Sequence, residues 1–263
     1  MEIRTICTNG FAMRYFRFGN EQGQPLVIIP GVALKSVMEA ASAVKAQYRA
    51  FAGDYDIYVF DRREDMPQDF SVRDMAADTV RALELLHPGA ADLYGVSQGG
   101  MIAMLAATAR PESVRKLAVC STSPYIPRQA AEVFSCWTRL AAEKQTAELM
   151  LSFAENIYSE SFRSKFGDIF PEFAKTVTDT DLKRFIAMSG SFGELDIRDS
   201  IRKISCPVLV LAGDSDRLFA PCCAEKTAAL TGGELHIYSG AAHAVYDEEP
   251  DVLVRLKEFL DRN

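Results

Sequence analysis

In Leu93-Tyr94-Gly95-Val96-Ser97-Gln98-Gly99-Gly100, an apolar run typical of a buried strand leads directly into a predicted helix. The stretch contains the pattern Gly-x-Ser-x-Gly, in which a sharp strand-to-helix turn lifts the serine oxygen above the edge of a sheet. Side chains two positions to either side of that serine would collide with neighbouring elements, and glycine at 95 and 99 removes them. The following helix points its free backbone N–H groups and the positive end of its dipole toward the serine. The pattern therefore predicts that Ser97 is a nucleophile.

Short apolar runs on both sides of this turn predict more strands of the same sheet. An opening hairpin is predicted over residues 3–7 and 12–18, because Asn9-Gly10 between them is a strong turn signal. Strands that are buried on both faces need continuous apolar runs. Such runs stand at 26–29, 57–60, 93–96, 117–120, 207–212 and 235–238.

Helical periods alternate with these runs. Apolar residues recur every three or four positions over 72–86, with Ser71 as the predicted N-cap. The same period returns before Pro111 and after Pro250. This alternation predicts an α/β fold with a mostly parallel central sheet flanked by helices.

The alternation stops between about Tyr125 and Leu195, where the sequence becomes helical and aromatic. A helical segment between two strands of a sheet is interpreted as a cap over the carboxyl edge, where ligands bind in open α/β folds. We therefore divide the chain into a core at 1–124 and 198–263 and a helical cap at 125–197. We expect most cap aromatics to pack inside the cap and a minority to face a substrate cavity. These aromatics are Phe134, Trp137, Phe153, Tyr158, Phe162, Phe166, Phe170, Phe173 and Phe185.

Composition and charge restrict the expected partners and compartment. The chain has 36 acidic and 29 basic residues and no basic cluster, which argues against nucleic acid or an anionic membrane and favours a small-molecule substrate. No apolar run has the length of a signal peptide or of a membrane span. The six cysteines show no Cys-x-x-Cys spacing, so we expect free, buried or half-buried thiols in a reducing cytoplasm. The oligomeric state stays open.

With the turn at Ser97 and this order of elements, the chain resembles the α/β-hydrolase family over nearly its full length. That family orders its triad as serine, acid and histidine. The resemblance implies that His243 is the general base, because it follows the last predicted strand in the loop before the final helix. His87 precedes a proline at a helix end, where a solvated or capping role is expected. His236 lies inside a predicted strand, where a hydrogen-bonded histidine of the sheet is expected.

The resemblance also implies where the acid lies. The family pattern is Gly-x-x-Asp with a proline a few residues later, which matches Gly213-Asp214-Ser215-Asp216 and Pro221. The acid is therefore placed at Asp216. Asp214 is the alternative, although it is more typical of a turn in which the carboxylate binds nearby backbone N–H groups.

Two backbone N–H groups are expected to form the oxyanion hole: that of Gln98 and that of Val32, in the loop after the strand at 26–29. The family usually has His-Gly in this loop, whereas this chain has Pro30-Gly31. A second departure is Asp61-Arg62-Arg63-Glu64-Asp65, where relatives commonly have a turn with glycine. No function is inferred from that segment.

The resemblance implies a serine hydrolase that cleaves a small carboxylic ester or related acyl substrate through an acyl-enzyme. No cofactor and no metal are expected. The alternatives are a carbon–carbon bond hydrolase, an enol-lactonase or an aminopeptidase of the same fold, or a ligand receptor without catalysis. Serine at 97 disfavours relatives that use aspartate there, such as haloalkane dehalogenases and epoxide hydrolases. Residues 29–33 lack the glycine spacing of a dinucleotide site, which disfavours an oxidoreductase.

Overall fold

A computed structural model of the chain describes residues 2–8, 10–67, 69–86 and 89–262. Eight strands form one sheet. They are β1 (Ile3–Thr8), β2 (Phe11–Gly19), β3 (Gln24–Ile29), β4 (Tyr55–Arg63), β5 (Ala91–Val96), β6 (Val114–Cys120), β7 (Val208–Gly213) and β8 (Glu234–Tyr238).

The strands are ordered β1-β2-β4-β3-β5-β6-β7-β8 across the sheet. β1 and β2 form the predicted antiparallel hairpin, with Asn9 outside the described residues, and β2 pairs antiparallel with β4. Every pair from β4 to β8 is parallel. The predicted α/β fold with a mostly parallel sheet is therefore confirmed.

Helices connect the strands. Those of the core are α1 (Ala41–Gln47), α2 (Val72–Leu86), α3 (Gln98–Ala109), α9 (Arg198–Ile201), α10 (Pro221–Thr231), α11 (Val245–Glu248) and α12 (Asp251–Asp261). Those of the segment at 125–197, between β6 and β7, are α4 (Arg128–Ala142), α5 (Thr146–Ile157), α6 (Glu160–Phe166), α7 (Ile169–Ala174) and α8 (Asp179–Gly190), and α9 lies between that segment and β7. Ser71 caps α2 as predicted, because its Oγ accepts a hydrogen bond from the backbone N–H of Asp74 at 3.2 Å.

The sheet separates two apolar cores because successive side chains of a strand point to opposite faces. In β3, Val27 and Ile29 join the core under α2, α3 and α10, whereas Leu26 and Ile28 join the core under α1 and α12. Both faces are covered, which explains why the central strands are apolar throughout. α3 is almost entirely buried against β5, and its apolar composition on all sides fits that position.

The segment at 125–197, called here the helical insert, leaves and re-enters the core at one place. An isolated antiparallel bridge joins Tyr125 to Asp196, close to both of its ends. Aromatic residues of the insert pack together, with the ring centroid of the buried Trp137 4.9 Å from that of the half-buried Phe153 and 6.3 Å from that of the buried Phe185. These aromatics belong to the same apolar cluster as Val27 and Ile29, so the insert packs continuously onto one face of the sheet.

The six cysteines are all free thiols. Cys7 and Cys222 are exposed, so the expectation that every thiol is buried or half-buried is wrong for these two. Both lie at positions that the chain presents to solvent, one in the edge strand β1 and one in the first turn of α10. Within the described ranges, none of the helices combines the length and the apolar character needed to span a membrane.

Candidate active site

Ser97 lies on the turn between β5 and α3 with a left-handed backbone conformation (φ 54°, ψ −120°). Such a conformation costs a residue other than glycine about 1–3 kcal/mol, so the surrounding structure has to impose it. The backbone N–H of Ser97 donates to the Cys120 carbonyl at 2.9 Å, and the Ser97 carbonyl accepts from Thr122 Oγ1 at 2.7 Å. β6 and the segment after it therefore hold the strained turn from both sides.

Gly95 and Gly99 lie where the turn contacts its neighbours most closely. A Cβ added to Gly99 would lie 2.0 Å from the carbonyl oxygen of Ile29, and one added to Gly95 would lie 2.4 Å from that of Gly99. Both distances are far below van der Waals contact, so only glycine fits. The predicted reason for these two glycines is confirmed, and the turn rests directly on the end of β3.

His243 and Asp216 form a buried pair. His243 Nδ1 lies 2.8 Å from Asp216 Oδ2, and the two side chains are 2% and 0% exposed. The other carboxylate oxygen of Asp216 accepts hydrogen bonds from the backbone N–H groups of Leu218 and Phe219, at 2.8 and 2.9 Å. The carboxylate is thus held by its own loop and can fix the tautomer with hydrogen on Nδ1, which leaves Nε2 as the basic nitrogen.

Asp214 is exposed and does not contact the imidazole. Its carboxylate accepts hydrogen bonds from the Gly240 backbone N–H at 2.8 Å and from Ser239 Oγ at 3.0 Å. The Gly240 N–H and two serine hydroxyls, those of Ser215 and Ser239, lower the pKa of Asp214. Asp214 therefore has the predicted geometry of a turn-forming aspartate, and it ties the loop after β7 to the loop after β8.

The helical insert holds the loop that carries His243. The backbone N–H of Ala244 donates to the Ile157 carbonyl at 2.8 Å. Glu248 accepts from the backbone N–H of Ala242 at 3.2 Å and from that of Ser159 at 2.7 Å. One carboxylate thus connects the histidine loop with the start of α6.

Ser97 and His243 line one cavity of about 180 Å³. None of the described side chains that line it is Asp, Glu, Lys or Arg. The remaining lining residues are Pro30, Gly31, Val32, Ala33, Phe134, Trp137, Phe153, Ile157, Tyr158, Leu218 and Tyr246. Four of the nine insert aromatics named from the sequence reach this cavity, and the other five do not, as expected. The cavity wall is therefore uncharged and largely aromatic, and the insert supplies part of it.

Ser97 and His243 share the cavity without a hydrogen bond between Ser97 Oγ and the imidazole among the described residues. Such a contact is often long without substrate and tightens when substrate binds. The structure brings Asp216 and His243 together directly and places Ser97 on the same cavity. This arrangement can activate the serine hydroxyl for attack on a carbonyl group.

The two expected oxyanion donors lie beside the nucleophile. Gln98 is the first residue of α3, and Val32 lines the cavity in the loop after β3. A Cβ added to Gly31 would lie 3.6 Å from Ser97 Oγ, so this loop passes close to the hydroxyl. Within the described part of the chain, neither the Gln98 nor the Val32 backbone N–H donates a hydrogen bond.

A buried polar network lies behind these donors, and sequence reasoning missed it. Arg62, at the end of β4, donates to the Pro30 carbonyl at 2.6 Å and to the Gln98 side-chain oxygen at 3.3 Å. Asp61 forms an ion pair with Arg184 of α8 and accepts from Ser36 Oγ. The sequence carried no signal for it, because β4 is buried continuously from Tyr55 to Arg62, whereas a charged segment at the end of a strand is usually solvated.

The other two histidines lie elsewhere. His236 is in the edge strand β8, with its ring 4.5 Å from that of Tyr238, and it faces a different surface groove. Burial lowers its pKa. No side-chain hydrogen bond of His236 is found among the described residues, so the expected hydrogen-bonded role is not seen. His87 lies outside the described residues.

Comparisons with known proteins agree with this architecture. A family model described as alpha/beta hydrolase fold matches residues 24–250. The chain is similar to serine hydrolase BPHL of Mus musculus, with 24% identity over 261 residues that cover 96% of this chain and 84% of that protein. It is also similar to 3-oxoadipate enol-lactonase 2 of Acinetobacter baylyi, with 20% identity over 212 residues that cover 81% and 79% of the two proteins.

Among solved structures, MGS-M2 is an alpha/beta hydrolase enzyme from a deep-sea metagenome library of the Medee basin. It superposes with a TM-score of 0.89 and 18% identity, covering 99% of this chain and 98% of that chain. At this level of identity the likeness shows the fold, and the reaction has to be argued from the side chains of the site.

Proposed function

The chain belongs to the alpha/beta hydrolase fold family, and within it we propose that the chain is a serine hydrolase of small, uncharged carboxylic esters. The observation that carries this proposal is the convergence of Ser97 and His243 on one cavity, with Asp216 2.8 Å behind the imidazole. A strained serine at a helix N-terminus and a buried carboxylate–imidazole pair are the parts that acyl transfer requires.

The proposed reaction has two halves, formation and hydrolysis of an acyl-enzyme, and each of these groups acts once in each half. His243 Nε2 takes the proton of Ser97 Oγ while Oγ forms a bond to the ester carbonyl carbon. The oxyanion that results binds to the backbone N–H groups of Gln98 and Val32, and losing one such donor typically raises the barrier by about 2.7–4 kcal/mol. The C–O bond to the alcohol then breaks as His243 returns the proton to that alcohol. Water, deprotonated by His243, releases the carboxylic acid from Ser97 in the same way.

The cavity supports an acyl group of modest size without charge. Its volume of about 180 Å³ is close to that of engineered apolar cavities of about 150 Å³ that bind benzene. Its lining contains four aromatic side chains from the insert and no charged carboxylate, ammonium or guanidinium group among the described residues. Bringing an anionic acyl group there would leave its charge buried without a partner, which is strongly unfavourable.

The helical insert is proposed to act as a cap, since α4 and α5 supply part of the wall of the cavity that Ser97 lines. The division into a core at 1–124 and 198–263 and a cap at 125–197 is part of this proposal. The six free thiols favour a reducing compartment, and the cytoplasm is proposed on that ground.

An enol-lactonase is the second candidate, because two curated relatives carry that name. A lactone is a cyclic ester, so the same three side chains would open it. The uncharged cavity favours a lactone without a carboxylate over one that carries it. A carbon–carbon bond hydrolase or an aminopeptidase has no specific observation in its favour here.

A fluorophosphonate probe with a fluorescent tag tests the proposal, because it reacts covalently with activated serines. We expect labelling of the wild type, none in Ser97→Ala, and unchanged labelling in Ser135→Ala, whose serine is exposed on α4. Hydrolysis of phenyl acetate should fall by about four to six orders of magnitude in Ser97→Ala, as in other serine triads. A folded wild type that neither reacts with the probe nor turns over any ester would favour a ligand receptor and overturn the proposal.

A further inference from the structure

Arg62 is an arginine enclosed inside the core next to the proposed oxyanion hole. It is 5% exposed, at the carboxyl end of β4, and it lies behind the cavity wall. Burial lowers its pKa to about 10, and the nearby Asp61 carboxylate partly opposes that change. The guanidinium is therefore still charged at neutral pH. Burying a charge is costly in free energy, so the groups that bind the buried guanidinium have to compensate for that cost.

The guanidinium binds two neutral acceptors. Nη2 donates to the Pro30 carbonyl at 2.6 Å, and Nη2 and Nε donate to Gln98 Oε1 at 3.3 and 3.4 Å. The neighbouring Asp61 carboxylate is bound to Arg184, to Ser36 Oγ and to the Arg62 backbone N–H. One planar cation thus joins the loop after β3 to the first residue of α3.

These are the two segments that would supply the oxyanion donors. Pro30 stands two residues before Val32, and Gln98 contributes its own backbone N–H. The two segments also touch, since a Cβ on Gly99 would lie 2.5 Å from the Pro30 carbonyl oxygen. An oxyanion hole works only while its donors keep the separation that the developing charge requires. Arg62 is placed to maintain that separation from behind.

The Gln98 side chain is fully engaged and cannot turn. Its Nε2 donates to the Met188 carbonyl and to Ser191 Oγ at the end of α8, both at 3.0 Å. A carbonyl only accepts and a guanidinium only donates, so the amide can sit in one orientation alone. Successive hydrogen bonds therefore connect the end of α8 to Gln98, Gln98 to Arg62, and Arg62 to Pro30.

We propose that Arg62 is a positioning residue of the oxyanion hole, fixing the loop that carries Val32 relative to Gln98; this rests on the proposed function. Arg62 touches neither the cavity nor Ser97, so its effect on the reaction would pass through the two backbone donors. Its loss should weaken binding of the tetrahedral state and leave binding of the neutral acyl group unchanged.

The test compares Arg62→Met, Arg62→Lys and Arg63→Met with the wild type. Arg63 is the matched control, because it is the next residue of β4 and its bidentate ion pair with Asp78 lies away from the site. Arg62→Met keeps the bulk and removes the charge and the donors. Arg62→Lys keeps the charge but lacks the planar fork that reaches both acceptors.

Two inhibitors separate positioning from general damage. Benzyl trifluoromethyl ketone adds to the serine and places an oxyanion in the hole, whereas the alcohol obtained by reducing it only fills the cavity. In Arg62→Met we expect kcat for phenyl acetate to fall, and the Ki of the ketone to rise, by about 100-fold. In the same variant, KM and the Ki of the alcohol should stay within about threefold of the wild-type values. The kcat and the ketone Ki of Arg62→Lys should lie between those of the wild type and Arg62→Met, and Arg63→Met should match the wild type in all of these constants.

The inference is overturned if folded Arg62→Met keeps kcat and the ketone Ki within threefold of the wild type. It is also overturned if the alcohol Ki rises as much as the ketone Ki, because the residue would then only support the pocket. If Arg62→Met does not fold, kcat and the ketone Ki are measured on Arg62→Lys, and values within threefold of the wild type overturn the inference in the same way. A wild type that neither labels with fluorophosphonate nor hydrolyses esters removes the proposed function itself, which is a different result from either of these.

Discussion

His243 Nδ1 lies 2.8 Å from Asp216 Oδ2, although the two residues come from different loops at the carboxyl edge of the sheet. Both side chains are buried, and backbone N–H groups of Leu218 and Phe219 hold the other oxygen of the carboxylate. A pair oriented from both sides keeps one imidazole tautomer. It also leaves one ring nitrogen to act as a base.

Asparagine at 216 should therefore damage the reaction far more than asparagine at 214. The new amide of the Asp216→Asn variant can donate to Nδ1 and so stabilise the tautomer that carries its hydrogen on Nε2, which cannot act as the base. The corresponding change in a serine protease triad lowered kcat by about four orders of magnitude. Asp214→Asn alters a turn that does not touch the ring. Initial rates with phenyl acetate measure both. Equal losses in the two variants would reverse the assignment of the acid.

Asp214 should contribute to stability in a pH-dependent way. Its pKa is lowered in the folded protein, chiefly by the Gly240 backbone N–H, so the folded state favours the charged carboxylate more than the unfolded state does. That contribution is present above the unfolded pKa of about 3.9 and is lost as the pH falls through the lower folded value. Urea unfolding should show Asp214→Asn less stable than the wild type at pH 7 and nearly equal to it at about pH 2–3. A difference that is the same at both pH values would contradict this linkage.

The uncharged cavity predicts selectivity between two esters of the same shape. Phenyl isocaproate ends its acyl chain in an isopropyl group, and phenyl hemisuccinate ends it in a carboxylate of similar size. An unpaired buried charge costs several kcal/mol, so kcat/KM should favour the neutral ester by at least about 100-fold. Initial rates over a range of substrate concentration give kcat/KM for each of the two esters.

A cation placed in the cavity wall should reduce the ratio of kcat/KM for the neutral ester to kcat/KM for the anionic ester. Phe153 lines the cavity, and Phe153→Lys would provide a counter-charge for the hemisuccinate. Phe173 belongs to the same insert but is exposed and does not line the cavity, so Phe173→Lys is the matched control and should leave the ratio unchanged. A wild type that prefers the anionic ester would exclude this description of the pocket.

The close contact between α3 and β3 predicts that Gly99→Ala is poorly tolerated. Its new Cβ would meet the Ile29 and Pro30 carbonyl oxygens at 2.0 and 2.5 Å, and such overpacking typically costs about 1–3 kcal/mol. Gly190 also lies in a helix, but a Cβ there meets nothing within 4 Å. Gly190→Ala should be neutral or should stabilise the protein, since alanine is the better helix former. Urea midpoints compare the two, and a Gly99→Ala variant as stable as Gly190→Ala would contradict the packing argument.

Much of the fold could be predicted because its signals are local. Every apolar run singled out in the sequence overlaps a strand, although Pro207 precedes β7, and α4 to α8 lie within 125–197, where the alternation stops. The glycines around Ser97 could be predicted because one turn needs them. The departure at 61–65 gave no such signal, because a charged segment at the end of a strand is usually solvated.

The sequence by itself determined the type and order of the elements and the turn that carries Ser97, because periodicity and turn chemistry depend on neighbouring residues alone. The loops of Asp216 and His243 followed from the resemblance to the family. The resemblance placed the acid at Asp216 with Asp214 as the alternative, and only the tertiary structure showed that Asp216 meets the imidazole and that Arg62 is enclosed between Pro30 and Gln98. Two carboxylates on one loop differ by which way the folded backbone points them. The burial of a charge depends on segments that are distant in the chain and close only after packing.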